Sequence, residues 1–309
     1  MKVKRSFGAA LAGGCLRLRG LLPLKYHRFW ARIIAWILQH VFHYRAGVVK
    51  TNLARSFPEK QYSELDAIQN RFYRQFASIF TEMVWYSACR GNWGRKRLHK
   101  SHIVEFTNPE EFNRLYGSAP QMMLLLGHTG NWELISGAFY YSYGKPLEFT
   151  PQMVTVAHHG IHSPLWNQVM EEVRTAPIRD LGFDGYVSTD GILRHALTHK
   201  GERKVYIFIT DQYPYVRSGS QSLNFMHQET RTMTGAAALA SKLGMSVGYV
   251  RYRCREDGGY TMTLVPLTDN ASGENPATLM QNYYKLLEED LRAQPWNYLW
   301  THKRWKQVV

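Results

Sequence analysis

The stretch QMMLLLGHTGNWELISG (residues 121–137) begins with a continuous apolar run and changes character at Gly127. A short apolar run bounded by turn residues is typical of a strand that is buried on both faces. Polar residues follow at once, among them His128, Asn131 and Glu133, and an apolar pattern resumes after them. The stretch therefore predicts a buried strand, a polar turn and a helix from about residue 131, as in an α/β fold.

The chain around this stretch alternates between strand and helix patterns. Upstream, Ser63 is a good N-cap for a helix over residues 64–87, whose apolar residues recur at helical spacing. Residues 90–120 are polar and loop-like, apart from a short helix near 109–116. Downstream, we predict strands at 149–157, 204–210, 245–254 and 260–267, and helices at 164–173, 189–199, 233–244 and 277–294. This alternation predicts a mixed sheet covered by helices on both faces.

The N-terminal region carries two apolar patches, FGAALAGGCL (7–16) and IIAWIL (33–38), with basic and aromatic residues around them. Each patch is shorter than the roughly 20 residues of a clean membrane span. The mixture of residues is typical of a helix that lies in a membrane interface. A short or tilted span and an ordinary amphipathic core helix remain open as alternatives. We predict a membrane-associating helical segment at residues 1–45, followed by one catalytic domain at 46–309.

The net charge limits the classes of partner that we expect the protein to bind. Its 38 Lys and Arg residues exceed its 24 Asp and Glu residues by 14, and this excess positive charge must lie on the surface. Such a surface attracts nucleic acid, an anionic membrane or an acidic protein. No nucleic-acid-binding motif appears, so we expect no nucleic-acid partner. The start of the chain imitates a lipoprotein signal ending at Cys15, but its apolar part is too short, so we expect it to be retained.

His128 stands where an open α/β sheet binds its ligands, beyond the carboxyl end of a strand. A histidine there can take a proton from a hydroxyl, and a carboxylate can hold its ring in one tautomer. Glu133 can supply that carboxylate if the turn folds back, which Gly127 and Gly130 permit. Taken alone the pair is a weak signal, because a histidine that only satisfies a helix start gives the same pattern.

Further segments strengthen the catalytic interpretation. GHTGNWE (127–133) closely resembles the active-site block of the late acyltransferases of bacterial lipid A biosynthesis, a lauroyl/myristoyl-type family that is similar to lysophospholipid acyltransferases. Other segments resemble blocks of that family and occur in its order: YRAGVVKTNLARSFPEK (44–60), FYRQFASIFTEMV (72–84), FITDQYP (208–214), TMTGAAALASKLGMSVGYV (232–250) and WNYLWTHKRWK (296–306). Together these segments extend over most of the chain.

The resemblance implies that an acyl chain, carried as a thioester on acyl carrier protein, moves to a free hydroxyl of an acylated sugar lipid. His128 would be the general base, and Glu133 would orient its ring and stabilise its charge. Neither a covalent acyl-enzyme nor a metal or other cofactor is expected. We infer in addition that backbone amides near Asn131 hold the tetrahedral oxyanion.

The implied setting is the cytoplasmic face of a bacterial inner membrane. There the basic surface would attract the acidic carrier protein, the phosphates of the acceptor lipid and the anionic membrane surface.

Four more positions match the family. Arg174 and Arg194 correspond to recurring arginines of the family. These arginines either bind phosphate or the carrier protein, or they are ordinary solvated helix residues. Asp211 and Gln212 belong to the Asp-Gln block and either bind substrate or stabilise a strand end. The segment VAHHGIHSPLWNQ (156–168) departs from the family pattern, and this leaves the acceptor open. The alternatives for the acceptor of the acyl chain are a lipid A precursor, an ornithine- or glycine-type lipid, and another hydroxylated lipid.

Other kinds of function remain as alternatives. A thioester hydrolase would use the same pair of residues on water, and a catalytically inactive module would only bind membranes. The intact block at 127–133 speaks against the inactive module. Two groups of histidines, at 158–162 and 195–199, lack a cysteine or carboxylate at a familiar metal-ligand spacing. We therefore predict no metal site.

Overall fold

The structure is a computed structural model that describes residues 6–214 and 220–305. A seven-stranded sheet forms its centre. In spatial order its strands are β1 (Val104–Phe106), β9 (Tyr260–Thr268), β8 (Ser246–Cys254), β2 (Gln121–Leu126), β5 (Lys204–Ile209), β3 (Val154–His158) and β4 (Tyr186–Ser188). Neighbouring strands are parallel except for β8 and β9, which are antiparallel. The predicted mixed sheet is confirmed.

Helices connect most of these strands. They are α1 (Phe7–Gly20), α2 (Leu24–Trp36), α3 (Ala46–Ser56), α4 (Tyr62–Tyr86), α5 (Gly91–Lys100), α6 (Pro109–Ser118), α7 (Pro164–Arg174), α8 (Ile192–Thr198), α9 (Gly235–Leu243) and α10 (Pro276–Ala293). A π-helical turn (Ile37–Val41) extends α2, and 3₁₀ helices form at Trp132–Tyr140 and Pro151–Met153. A separate antiparallel hairpin consists of β6 (Ser220–Phe225) and β7 (Gln228–Met233).

Strand β2 shows how the sheet is buried, because its alternate side chains enter two different cores. Met123 and Leu125 lie in a core that residues of α3, α4, α9 and α10 complete. Met122, Leu124 and Leu126 lie in a second core, together with residues of α5 and α6. Helices therefore cover both faces of the sheet, and β2 is fully buried, as its apolar run predicts.

Several elements differ from their predicted form. Helix α4 begins one residue before Ser63, and Glu64 Oε2 accepts a hydrogen bond of 2.9 Å from the backbone N–H of Gln61. Residues 90–120 contain α5 and β1, which are too polar or too short to show an apolar period. Strand β3 starts at Val154, after a 3₁₀ turn that begins at Pro151. The segment after residue 131 forms a 3₁₀ helix in place of a regular α-helix.

The N-terminal helices pack closely on the rest of the molecule, α1 against α7 and α2 against α4. Gly20 is so close to α4 that an added Cβ would lie 2.4 Å from the carbonyl oxygen of Val84. The opposite sides of these helices leave large apolar side chains exposed; we call this set the N-terminal apolar residues: Phe7, Leu11, Leu18, Leu21, Phe29, Trp36, Val41 and Phe42. Within residues 6–214 and 220–305, no helix combines the length and the apolar character that crossing a membrane requires.

Candidate active site

His128 and Asp211 meet because they follow two neighbouring parallel strands. Leu126, the last residue of β2, pairs with Ile209, the last residue of β5. The residue two positions beyond each strand therefore lies at the same edge of the sheet. There His128 Nδ1 lies 2.6 Å from Asp211 Oδ1, and the backbone N–H of His128 donates to the same oxygen at 3.2 Å. A ligand-binding place beyond the carboxyl ends of parallel strands agrees with the general rule for α/β sheets.

The contacts of the His128 ring determine its tautomer. An ionised carboxylate only accepts hydrogen bonds, so the Nδ1 atom facing Asp211 carries the ring proton. The other ring nitrogen, Nε2, then carries a lone pair without a proton, and Gln212 Nε2 donates to it from 3.0 Å. The side chain of His128 remains 14% exposed. The ring is thus prepared to accept a proton at Nε2.

Asp211 is well suited to stabilise a protonated His128 ring. Burial alone would raise the pKa of this carboxyl, which is 1% exposed. The charge and hydrogen bond of His128, together with a hydrogen bond from the Tyr298 hydroxyl, outweigh burial and hold the pKa of Asp211 below its usual value. Asp211 is therefore ionised at neutral pH, and its charge favours an imidazolium ring beside it.

Glu133 faces a different partner from the one that we predicted. Its carboxylate forms a two-pronged ion pair with Arg174, with distances of 2.5 Å from Nε to Oε2 and 2.7 Å from Nη2 to Oε1. In the part of the chain that the structure describes, the His128 ring bonds to Asp211 and Gln212 and not to Glu133. The predicted contact between His128 and Glu133 is therefore wrong, because the ion pair directs the Glu133 carboxylate to Arg174 while Asp211 takes Nδ1 of the ring. Whether Glu133 takes part in catalysis stays a prediction.

Arg174 is committed to these contacts as well. Its third nitrogen, Nη1, donates to the Tyr186 hydroxyl at 3.0 Å. Burial alone would lower the pKa of Arg174, but Glu133 and Tyr186 reverse that effect and raise it. All three guanidinium nitrogens thus have partners within the protein. These contacts use three of the five N–H groups of the guanidinium.

Two other predicted binding residues lie away from this group. The side chain of Asn131 is fully buried, and its Nδ2 donates to Glu82 Oε2 on α4 at 2.8 Å. Arg194 is exposed on α8. Neither residue belongs to the cavity lining among residues 6–214 and 220–305. The structure therefore brings together His128, Glu133, Arg174, Asp211 and Gln212, and leaves Asn131 and Arg194 apart from them.

A cavity of about 720 Å³ opens in front of His128. This volume is typical of a site that binds a small molecule or part of a lipid. Polar side chains on its wall include Glu133, Arg174 and Gln212, and much of the remaining lining is apolar: Ile135, Val156, Phe183, Ile209, Met233 and Ala238. A second, small apolar cavity shares Ile135 and Val156 with the first and continues toward Phe106, Phe112 and Phe149. The arrangement places a proton acceptor beside a largely apolar space.

Gly130, in the loop that carries His128, is fixed from two sides. Its backbone is left-handed, with φ of 59°, and an added Cβ would lie 2.6 Å from the ring of Tyr252. Its N–H donates to Asn297 Oδ1 at 2.6 Å, and its carbonyl accepts from Gln75 Nε2 at 3.3 Å. Helix α4 and the C-terminal segment therefore hold the loop between them.

The segment 297–304 is in turn anchored to the N-terminal part of the chain. Arg45 donates to the carbonyl oxygen of Thr301, and Asn52 donates to those of Trp300 and His302. Sequence reasoning did not identify Asn297 or Tyr298 as part of the site. Their only signal is that they belong to the block at 296–306, for which the resemblance supplies no role.

Similarity to a known protein family extends along nearly the whole chain. A family model described as bacterial lipid A biosynthesis acyltransferase matches residues 1–307, which is nearly the whole chain. A search of curated proteins gave no match. The family match covers every block that suggested the resemblance, together with the N-terminal helices and the strands that carry His128 and Asp211. The chain therefore belongs to the bacterial lipid A biosynthesis acyltransferase family.

Proposed function

We propose that the protein transfers a fatty acyl chain from an acyl carrier protein thioester to a hydroxyl group of a lipid A precursor or a related membrane lipid. The observation that carries this proposal is the His128 ring, which is held by Asp211 at Nδ1 and presents Nε2 to a largely apolar cavity. A fatty acyl chain suits the apolar walls, and the family match supplies the class of reaction.

The proposed reaction uses His128 as a proton carrier. Nε2 takes the proton from the acceptor hydroxyl while that oxygen forms a bond to the thioester carbonyl carbon. The carbon–sulfur bond then breaks, and the imidazolium ring returns the proton to the leaving sulfur. Asp211 stabilises the charged ring between these two steps. In this mechanism Asp211 takes the orienting role that the sequence had suggested for Glu133.

The test of this function is an acyl-transfer assay with purified protein in a neutral detergent. Acyl carrier protein thioester is supplied together with a phosphorylated sugar lipid, an ornithine lipid or a glycine lipid, and products are identified by mass spectrometry. We expect one of these lipids to gain the mass of one acyl chain. Free fatty acid as the sole product, with every acceptor, would identify a hydrolase instead. A small acyl thioester in place of the carrier-bound donor tests whether the carrier itself is recognised.

We also propose that the protein acts at the cytoplasmic face of a bacterial inner membrane, with an anionic lipid bilayer against the N-terminal apolar residues. Phe7, Trp36 and Phe42 are 85%, 59% and 71% exposed, and cationic residues such as Arg17 and Arg32 accompany them. Burying an apolar side chain contributes about 1.5–3 kcal/mol, and attraction to anionic lipid adds to this. Both contributions favour binding of this surface to an anionic membrane.

Replacement of Phe7, Trp36 and Phe42 by serine should lower binding to anionic vesicles by at least roughly tenfold, because three apolar contacts are lost. A flotation assay with vesicles of phosphatidylethanolamine and phosphatidylglycerol measures the bound fraction. The matched control replaces Leu193 and Leu197, which are exposed on α8, and should leave binding unchanged. If the triple variant floats as fully as the parent, another surface holds the membrane. Substitution suits this test better than removal of the helices, because α1 and α2 also pack on the domain.

A further inference from the structure

The Nε2 atom of His128 already has a hydrogen-bond partner in the free protein. Gln212 Nε2 lies 3.0 Å from it, and Gln212 also lines the cavity. Because Nδ1 donates to Asp211, Nε2 can only accept, and the amide nitrogen of Gln212 is the group that donates. The lone pair that must take the proton of the acceptor is therefore occupied before any substrate arrives.

The position of Gln212 is fixed by its neighbours in the chain. Asp211 is buried against His128, and the backbone N–H of Tyr213 donates to His302 Nε2 at 3.4 Å. The Gln212 amide is thus tethered close to the ring, and its effective concentration there is high. A nucleophile reaches Nε2 only by displacing this amide.

We propose that Gln212 is a specificity-determining residue, which keeps water from His128 until a lipid hydroxyl displaces its amide and so separates acyl transfer from thioester hydrolysis. This inference rests on the proposed function, since it concerns the choice of acceptor in that reaction. A water molecule offers little beyond one hydrogen bond to Nε2, which only replaces the one that Gln212 gives up. A lipid acceptor gains additional binding free energy from its chains and headgroup, and this free energy offsets the cost of displacing the Gln212 amide.

The two competing reactions share every step except the nucleophile. In both, an O–H proton moves to Nε2, the oxygen bonds to the carbonyl carbon, the carbon–sulfur bond breaks and the imidazolium protonates the sulfur. A lipid hydroxyl gives an ester and the free thiol, and water gives a fatty acid and the free thiol. The ratio of ester to fatty acid therefore reports how well the base is shielded from water.

The experiment compares the parent protein with Gln212→Ala, using acyl carrier protein thioester without acceptor. The rate of thioester hydrolysis is measured by the release of free thiol. We expect this rate to rise roughly 3- to 10-fold in the variant, as the loss of one hydrogen bond suggests. With acceptor present, the ratio of ester to fatty acid should fall. The additional change His128→Ala should abolish the gain in hydrolysis, which shows that the gain depends on the base.

Two further variants complete the test. Gln152→Ala removes a glutamine whose amide donates to the carbonyl of Leu181 outside the cavity, and it should leave hydrolysis at the parent rate. Gln212→Met keeps the length of the side chain without the donor, and it replaces Gln212→Ala if thermal unfolding shows that the alanine variant is not folded. Unchanged or slower hydrolysis in a folded Gln212 variant would overturn the proposal.

The outcomes also separate this inference from the proposed function. If the parent acylates none of the lipids but the Gln212 variant hydrolyses the thioester faster, the proposed acceptors are wrong and the shielding role stands. If the parent acylates a lipid and the variant loses transfer and hydrolysis to the same extent, the proposed function stands. In that case Gln212 serves both reactions alike, and its role in choosing between them is refuted.

Discussion

Replacement of His128 by alanine should lower the turnover number for acyl transfer by on the order of 100-fold or more, the usual contribution of a general base. The ring is the group that connects Asp211 to the cavity, so its loss removes both the proton acceptor and the route by which the carboxylate acts. Steady-state rates of ester formation at saturating donor and acceptor measure this effect directly. Turnover close to that of the parent would exclude the proposed mechanism.

The His128 variant needs a control for folding, because alanine leaves the buried Asp211 carboxylate without its main partner. His128→Asn retains a side-chain donor at about the position of Nδ1 but offers no basic lone pair. We expect the unfolding temperature of this variant to be closer to that of the parent, and we expect it to be as inactive as the alanine variant. An active and stable His128→Asn protein would mean that the proton goes elsewhere.

Asp211→Asn should also lower turnover by on the order of 100-fold or more, although only one atom differs in type. The asparagine amide can donate to Nδ1, which would place the ring proton on Nε2 and leave no lone pair toward the cavity. It also removes the negative charge that stabilises the imidazolium. The measurement is turnover at saturating substrates, with binding of donor followed separately to show that the site remains formed.

Glu133→Gln is the matched comparison for Asp211→Asn, because it makes the same chemical change in the carboxylate that is nearest to His128 along the chain. It weakens the ion pair with Arg174 and does not touch the His128 ring. We expect a smaller loss of turnover than for Asp211→Asn, accompanied by a lower unfolding temperature. The reverse order of the two losses would return the orienting role to Glu133.

The local sequence pattern was sufficient to predict β2, the helices at 164–173 and 277–294, and the place of His128 at a strand end. These elements have long or fully apolar patterns, and the pattern follows directly from burial. Strand β1 and the hairpin β6–β7 lack such a pattern, because they are short or largely polar. Their position depends on strand pairing, which local periodicity does not contain.

The partner of His128 could not be predicted for a related reason. Asp211 lies 83 residues away along the chain, and only the pairing of β2 with β5 brings it to the ring. Glu133 is five residues away and therefore appeared to be the natural partner. In the structure Glu133 instead pairs with Arg174, and this contact depends on the placement of α7 beside the 3₁₀ helix. Proximity in sequence placed His128 and Glu133 at one cavity but did not predict their hydrogen bonds.

The hydrogen bond between Asn297 and Gly130 has a consequence for biosynthesis on the ribosome. Gly130 and Asn297 are 167 residues apart along the chain, so the loop that carries His128 leaves the exit tunnel well before Asn297 and Tyr298 do. Domains begin to fold while the chain is still being made. The N–H of Gly130 and the carboxylate of Asp211 nevertheless gain these two partners only after the intervening residues have been made. A nascent chain can thus form its N-terminal helices before the loop that carries His128 is fully held.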